Sequence, residues 1–132
     1  MIGIVVVTHG RIAEELVNAA RTIVGDVPAI AAVSIGWGDD PVAANAAIER
    51  GLAEAGAGDV LVLTDMFGGT PTNLSLPHLS ERVEIVTGVN LPMIIKASAL
   101  REGTLAEVAR AVREQGKGAI YVASEILARR PA

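Results

Sequence analysis

A histidine at position 9 and an aspartate at position 65 each stand one threonine beyond an apolar run, a placement suited to group-transfer chemistry. Imidazole is nucleophilic near neutral pH and forms covalent phosphoramidates. One ring nitrogen attacks while the other gives its proton to an oriented acceptor, which fixes the tautomer. Taken alone, His9 is more commonly a hydrogen-bonded core histidine than a nucleophile. Asp65 adds the acceptor: its carboxylate would take the ring proton and stabilise the charge that develops in transfer, the orienting role of the aspartate in catalytic triads. Its plainer alternative is to cap the turn that follows.

Asp65 opens the segment Asp65-Met66-Phe67-Gly68-Gly69-Thr70-Pro71. Gly68 and Gly69 allow a tight bend that turns successive N–H groups toward a phosphate, and Thr70 adds a hydroxyl donor. An isolated Gly-Gly pair is more often a plain turn. Pro71 is preset for the first turn of a helix. The Lys-Ser/Thr of a Walker loop is absent, and Gly36-Trp37-Gly38 lacks the third glycine of a dinucleotide loop. Trp37 either contacts a partner or packs locally.

These residues need elements to hold them. Ile2 to Val7 reads as a strand buried on both faces. Ile12, Leu16, Ala20, Ile23 and Val24 recur at helical spacing, stopped by Gly25. A strand over Ala29 to Ile35 precedes Asp40-Pro41, an N-cap and helix start, with the helix running to about Ala55. Asp59 to Thr64 is a third strand, Pro71 to Leu79 a shorter helix, Val83 to Thr87 a fourth strand and Pro92 to Leu100 another helix. Thr104 to Glu107 is a capping box opening a helix that ends near Gly116. Ala119 to Ala123 reads as a last strand, and Ser124 to Ala132 as an unassigned tail.

Alternating strands and helices without a linker predict one α/β domain over residues 1–132, with a mostly parallel sheet and right-handed crossovers. Periodicity alone leaves the strand order open. A flavodoxin-like order 2-1-3-4, plus the C-terminal strand, would set the third strand beside the first and bring Asp65 to His9 at the carboxyl rim.

Composition narrows the classes further. Apolar residues make up 51% of the 132, with one each of Phe, Trp and Tyr, so the core is built of Val, Ile, Leu and Ala. No cysteine is present, which excludes disulfides and thiolate chemistry. A net charge of −4 without a basic stripe argues against nucleic acid. No apolar stretch approaches the roughly 18 residues of a membrane span. The start reads as a strand and not a signal peptide, so a cytoplasmic protein without membrane insertion is expected. His78 has no second ligand at metal spacing, and no metal site is expected.

Thr8-His9-Gly10, the Asp65 to Pro71 segment and Gly88-Val89-Asn90-Leu91-Pro92-Met93 together resemble the pattern of the mannose-family enzyme IIA components of the bacterial sugar phosphotransferase system. The resemblance covers essentially the whole chain. It implies a phosphoryl carrier that needs no cofactor. The histidine phosphorylated by HPr maps to His9, its carboxylate partner to Asp65, and a phosphate-facing hydroxyl to Thr70. Phe67 falls where the family places a large residue beside the site, either against the partner or in the core. Asn90 and Pro92 would hold the rim of the third loop. The resemblance also implies a homodimer, usually formed by exchanging a C-terminal strand. With the chain ending at Ala132, no fused IIB domain is expected, and the phosphoryl group would pass to a separate enzyme IIB. The alternatives are a regulatory phosphoprotein without sugar transport, a phosphoryl-donor subunit for dihydroxyacetone kinase, and an α/β binding domain with a structural His9.

Overall fold

The computed structural model describes residues 1–128. Four strands form one parallel sheet: β1 (Gly3–His9), β2 (Ile30–Ile35), β3 (Val60–Thr64) and β4 (Val83–Thr87), in the order β2-β1-β3-β4. The connecting helices are α1 (Ile12–Val24), α2 (Pro41–Glu54), α3 (Thr70–Ser75), α4 (Leu91–Ala99) and α5 (Leu105–Gly118). A six-residue helix, α6 (Ala123–Ala128), follows.

Each face of the sheet has its own core, because side chains alternate along a strand. Ile4 and Val6 of β1, with Leu61 and Leu63 of β3, pack beneath α1, α4 and α5. Val5 and Val7, with Val33, Ile35 and Val62, pack on the other side, against Ala44 and Ile48 of α2. The central strand is therefore apolar at every position from Ile4 to Val7, and all four of these residues are fully buried. Each such burial is worth about 1.5–3 kcal/mol.

Several elements differ from the sequence expectation in ways the packing explains. β1 continues through His9, which pairs opposite Ile35 at the last rung of the ladder. The buried stripe of α1 is Ala13, Val17 and Ala20 with Leu16 beside it, while Ile12, Ile23 and Val24 are exposed. The helix expected over Pro71 to Leu79 breaks into α3 and a 3-10 turn at Leu76–His78. Pro77 has no N–H to continue the α-helical ladder. Helix α5 passes through Gly116 instead of stopping there, and a Cβ at that position would lie 2.6 Å from the Met93 side chain of α4. The glycine is there for close helix–helix approach.

The strand expected at Ala119 to Ala123 is absent. Ile120, Tyr121 and Val122 leave α5 unpaired and exposed, and the chain then turns into α6. β-Branched and aromatic residues favour an extended, half-buried position, but a strand exists only by pairing with an edge. Among the described residues the segment pairs with none. Of the tail beyond it, residues 129–132 lie outside the described residues.

The end of the sheet opposite His9 is closed by Arg101, only 6% exposed. Its guanidinium donates to the carbonyls of Ile2 (2.9 Å), Ala29 (2.8 Å) and Pro28, while the Ile2 N–H returns a bond to the Arg101 carbonyl at 2.9 Å. One side chain thus ties the α4–α5 connection to the starts of β1 and β2. Arg101→Met should strand these carbonyls and lower the urea unfolding free energy by about 3 kcal/mol. An unchanged midpoint and slope would show that the clamp contributes nothing.

Candidate functional site

The carboxyl ends of β1 and β3 lie side by side. Their register pairs Val7 with Thr64, so Asp65 emerges next to the end of β1 although it is 56 residues from His9. Asp65 Oδ2 accepts from the His9 backbone N–H at 3.0 Å and meets ring Nδ1 at 2.7 Å. Its other oxygen accepts the Met66 N–H at 3.0 Å. An ionised carboxylate only accepts, so in the neutral form of the imidazole the ring proton sits on Nδ1 and the Nε2 lone pair is left free. The two side chains are 16% and 14% exposed, enough burial to strengthen the bond while leaving the ring edge reachable.

Burial by itself pushes the Asp65 carboxyl up. The hydrogen bonds from the His9 backbone and ring, and the charge of that ring, outweigh it and hold the carboxyl below its ordinary value of 3.8.

The Nε2 edge faces Gly69. A Cβ built on Gly69 would lie 3.0 Å from Nε2 and 2.5 Å from Cε1, so only glycine lets the loop come this close. Gly68 and Gly69 precede α3, and Thr70 is exposed at its first position. The loop is braced from behind by Asn73, whose N–H donates to the Gly69 carbonyl at 2.9 Å and whose side-chain amide donates to that of Gly68 at 3.3 Å.

The two residues expected to face a partner are placed differently, Trp37 on the ring and Phe67 at the groove beside β4. The Trp37 indole stacks on the imidazole with ring centroids 4.8 Å apart and planes 17° apart. Phe67 is 72% exposed, which removes it from the core. Asn90 spends its side chain on backbone groups: it accepts from the Met93 N–H at 3.1 Å, capping α4, and donates to the Gly116 carbonyl at 3.2 Å. His78 is elsewhere, meeting Asn45 of α2 at 3.1 Å. Among the described residues no group of three or more His, Cys, Asp or Glu side chains could hold a metal ion, and no helix is long and apolar enough to cross a membrane.

Three buried threonines escaped the sequence reading. Thr8 Oγ1 accepts the Ala13 N–H at 2.7 Å, satisfying a free donor of the first turn of α1, which lacks a capping side chain at Arg11. Thr72 donates to Thr64 Oγ1 at 2.8 Å, within reach also of the Met66 carbonyl. All three are fully buried and hold the two loops at fixed height. A threonine at each strand end, Thr8 and Thr64, was a visible signal; Thr72 carried none.

A carboxylate held below its ordinary value contributes stability that is complete above that value and is lost as the pH falls through the folded-state value. The stability advantage of the wild type over Asp65→Asn should therefore be constant near neutral pH, at about 1–2 kcal/mol, and shrink steadily as the pH falls below the ordinary carboxyl value of 3.8. Urea titrations of both proteins over that range test it, and a gap independent of pH would contradict it.

Comparison with known proteins adds the family. The family EIIA-man, described as the PTS system fructose IIA component, matches residues 3–113. The mannose-specific EIIAB component of Escherichia coli K12 is 33% identical over 109 residues, 76% of this chain but 32% of that protein. This chain thus spans about a third of the length of that relative. The mannose/sorbose-specific IIA subunit of the phosphotransferase system from Enterococcus faecalis superposes with a TM-score of 0.84 at 31% identity, over 92% of this chain and 93% of that one. The phosphotransferase component EIIA of Streptococcus agalactiae, 24% identical, shares the fold with a TM-score of 0.84 over 95% of this chain and 99% of its own. A match over residues 3–113, together with relatives above 30% identity, places this chain in the EIIA-man family of phosphotransferase-system enzyme IIA components.

Proposed function

We propose that this chain carries a phosphoryl group on Nε2 of His9, accepts it from a phosphohistidine on HPr, and passes it to an enzyme IIB for sugar uptake. The 2.7 Å contact between His9 Nδ1 and Asp65 carries the reading, because it leaves Nε2 as the nucleophile. In transfer the Nε2 lone pair forms the new N–P bond as the donor's N–P bond breaks, its electron pair returning to the donor imidazole. The proton stays on Nδ1, and the positive charge that spreads over the His9 ring faces the Asp65 carboxylate. The Gly68–Gly69 turn and Thr70 supply donors beside Nε2 for the phosphoryl oxygens. No cofactor or metal is required, since the donor phosphoryl group is already activated.

Exposed Trp37 on the ring face and Met66 beside Gly69, with exposed Phe67 at the groove along β4, offer an apolar surface that fits a docking partner. In this role the protein works in the cytoplasm. The sugars named for the relatives and the family differ (mannose, sorbose, fructose), so the reading stays at the class of reaction.

Incubation with phosphoenolpyruvate, enzyme I and HPr should add one acid-labile phosphate to the wild type and none to His9→Ala. Gly69→Ala, by pushing the ring off its place, should slow uptake on the order of 100-fold. No mass gain in the wild type, with active donors, would return His9 to a structural role.

The homodimer is also proposed. An open groove of about 490 Å³ runs along β4, lined by Leu76, Leu79, Ile85, Val86, Arg110 and Arg113, and β4 pairs on one side only. Ile120, Tyr121 and Val122 are exposed apolar residues that join no strand among the described residues. We propose that this segment pairs with β4 of a second copy. Truncation after Gly118 should convert dimer to monomer in sedimentation velocity; a full-length monomer would refute it.

A further inference from the structure

Trp37 is the chain's single tryptophan, and its loop is built to hold it over His9. Ile35 lies opposite His9 in the β1–β2 ladder, and its carbonyl accepts the Gly10 N–H at 2.8 Å. The chain then turns back at once. The Gly36 N–H donates to the Asp39 carboxylate at 2.7 Å, the Asp39 N–H donates to the Gly36 carbonyl at 3.1 Å, and Asp40 caps α2. A Cβ on Gly36 would lie 2.6 Å from Asp39 Oδ1, so this turn closes tightly. Its tip carries Trp37, with one indole face on the imidazole and the side chain otherwise 83% exposed.

The imidazole is thereby bounded on three sides. Asp65 holds Nδ1, Gly69 lies against Cε1 and Nε2, and Trp37 covers one face. The hydrogen bond alone cannot fix the ring, because the second side-chain torsion of histidine is broad and a ring can rock about the Nδ1 contact. A parallel stack resists that rocking. It also sets an electron-rich face against a ring that becomes cationic when Nε2 takes the phosphoryl group, and indole is the strongest such face among side chains.

We propose that Trp37 is a positioning residue for phosphoryl transfer, holding the His9 ring plane so that Nε2 points along the line of attack and stabilising its charge. This rests on the carrier reading above. In the step itself, the N–P bond to Nε2 forms as the donor's N–P bond breaks, the leaving pair stays on the donor, and Trp37 exchanges no atoms.

Potassium phosphoramidate separates positioning from docking, because this small donor needs no protein surface. Trp37→Ala should slow phosphorylation by phosphoramidate about three- to ten-fold, and lower kcat with phospho-HPr by a similar factor. Trp37→Phe should restore both to within about two-fold, and Trp37→Leu should not. The His9 ring protons of the unphosphorylated wild type should show an upfield ring-current shift that Trp37→Ala abolishes. An exposed side chain outside the core makes these variants fold as the wild type does. An unchanged phosphoramidate rate, with only KM for phospho-HPr raised, would overturn the proposal and make Trp37 a docking residue. A wild type that takes no phosphate from either donor would instead sink the carrier reading, and this proposal with it.

Discussion

The hydrogen bond between His9 and Asp65 sets the terms for the rest of the molecule. It joins residues 56 apart in the chain and depends on β1 and β3 being neighbours in one parallel sheet. Parallel neighbours put both carboxyl ends at the same rim, so one oxygen of Asp65 reaches both the His9 backbone and its ring. An antiparallel pairing would place these side chains at opposite ends of the sheet. The apolar run of β1, buried on both faces, is what forces that strand into the middle with β3 beside it.

Around the pair, rigidity comes from hydroxyls and from missing side chains. Thr8 anchors the start of α1, and Thr72 bonded to Thr64 anchors the Gly68–Gly69 loop from below. Buried hydroxyls of this kind lose water on folding, so they hold firmly to the partners they gain. Gly69 then brings backbone to the ring edge at a distance no other residue permits. The opposite end of the sheet is organised differently. There Arg101 binds carbonyls and makes the strand starts a fixed base. The reactive rim can expose Trp37, Met66 and Phe67 because the stability of the fold lies in the two cores and in that base.

The outer strand β4 differs from the two inner strands in what covers it. β4 is only half-buried along its length and borders the groove beside α5, whereas β1 and β3 are closed from all sides. Open strand edges attract further strands. The apolar segment after α5 is the part of the chain whose residue types and exposure disagree most plainly, which is the signature of a segment shaped for a partner surface.

Much of this was readable in the residues themselves. The alternation of apolar runs with amphipathic stretches, Asp40-Pro41 and the capping box at Thr104 are local signals, since each depends on groups a few residues apart, and the elements they predict are present. His9 and Asp65 were likewise marked by type and position, as was the glycine pair. Local pattern failed where the outcome depended on distant atoms. Gly116 reads as a helix stop but answers to Met93 across the helix pair. Ala119 to Ala123 has the composition of a strand but, among the described residues, joins no edge of its own sheet. Thr72 gives no sign of the hydroxyl it will meet, and Trp37 none of the ring it will cover. Chemistry is carried by residue type, which the chain spells out; contact is decided by strand order and close approach, which exist only once both cores have packed.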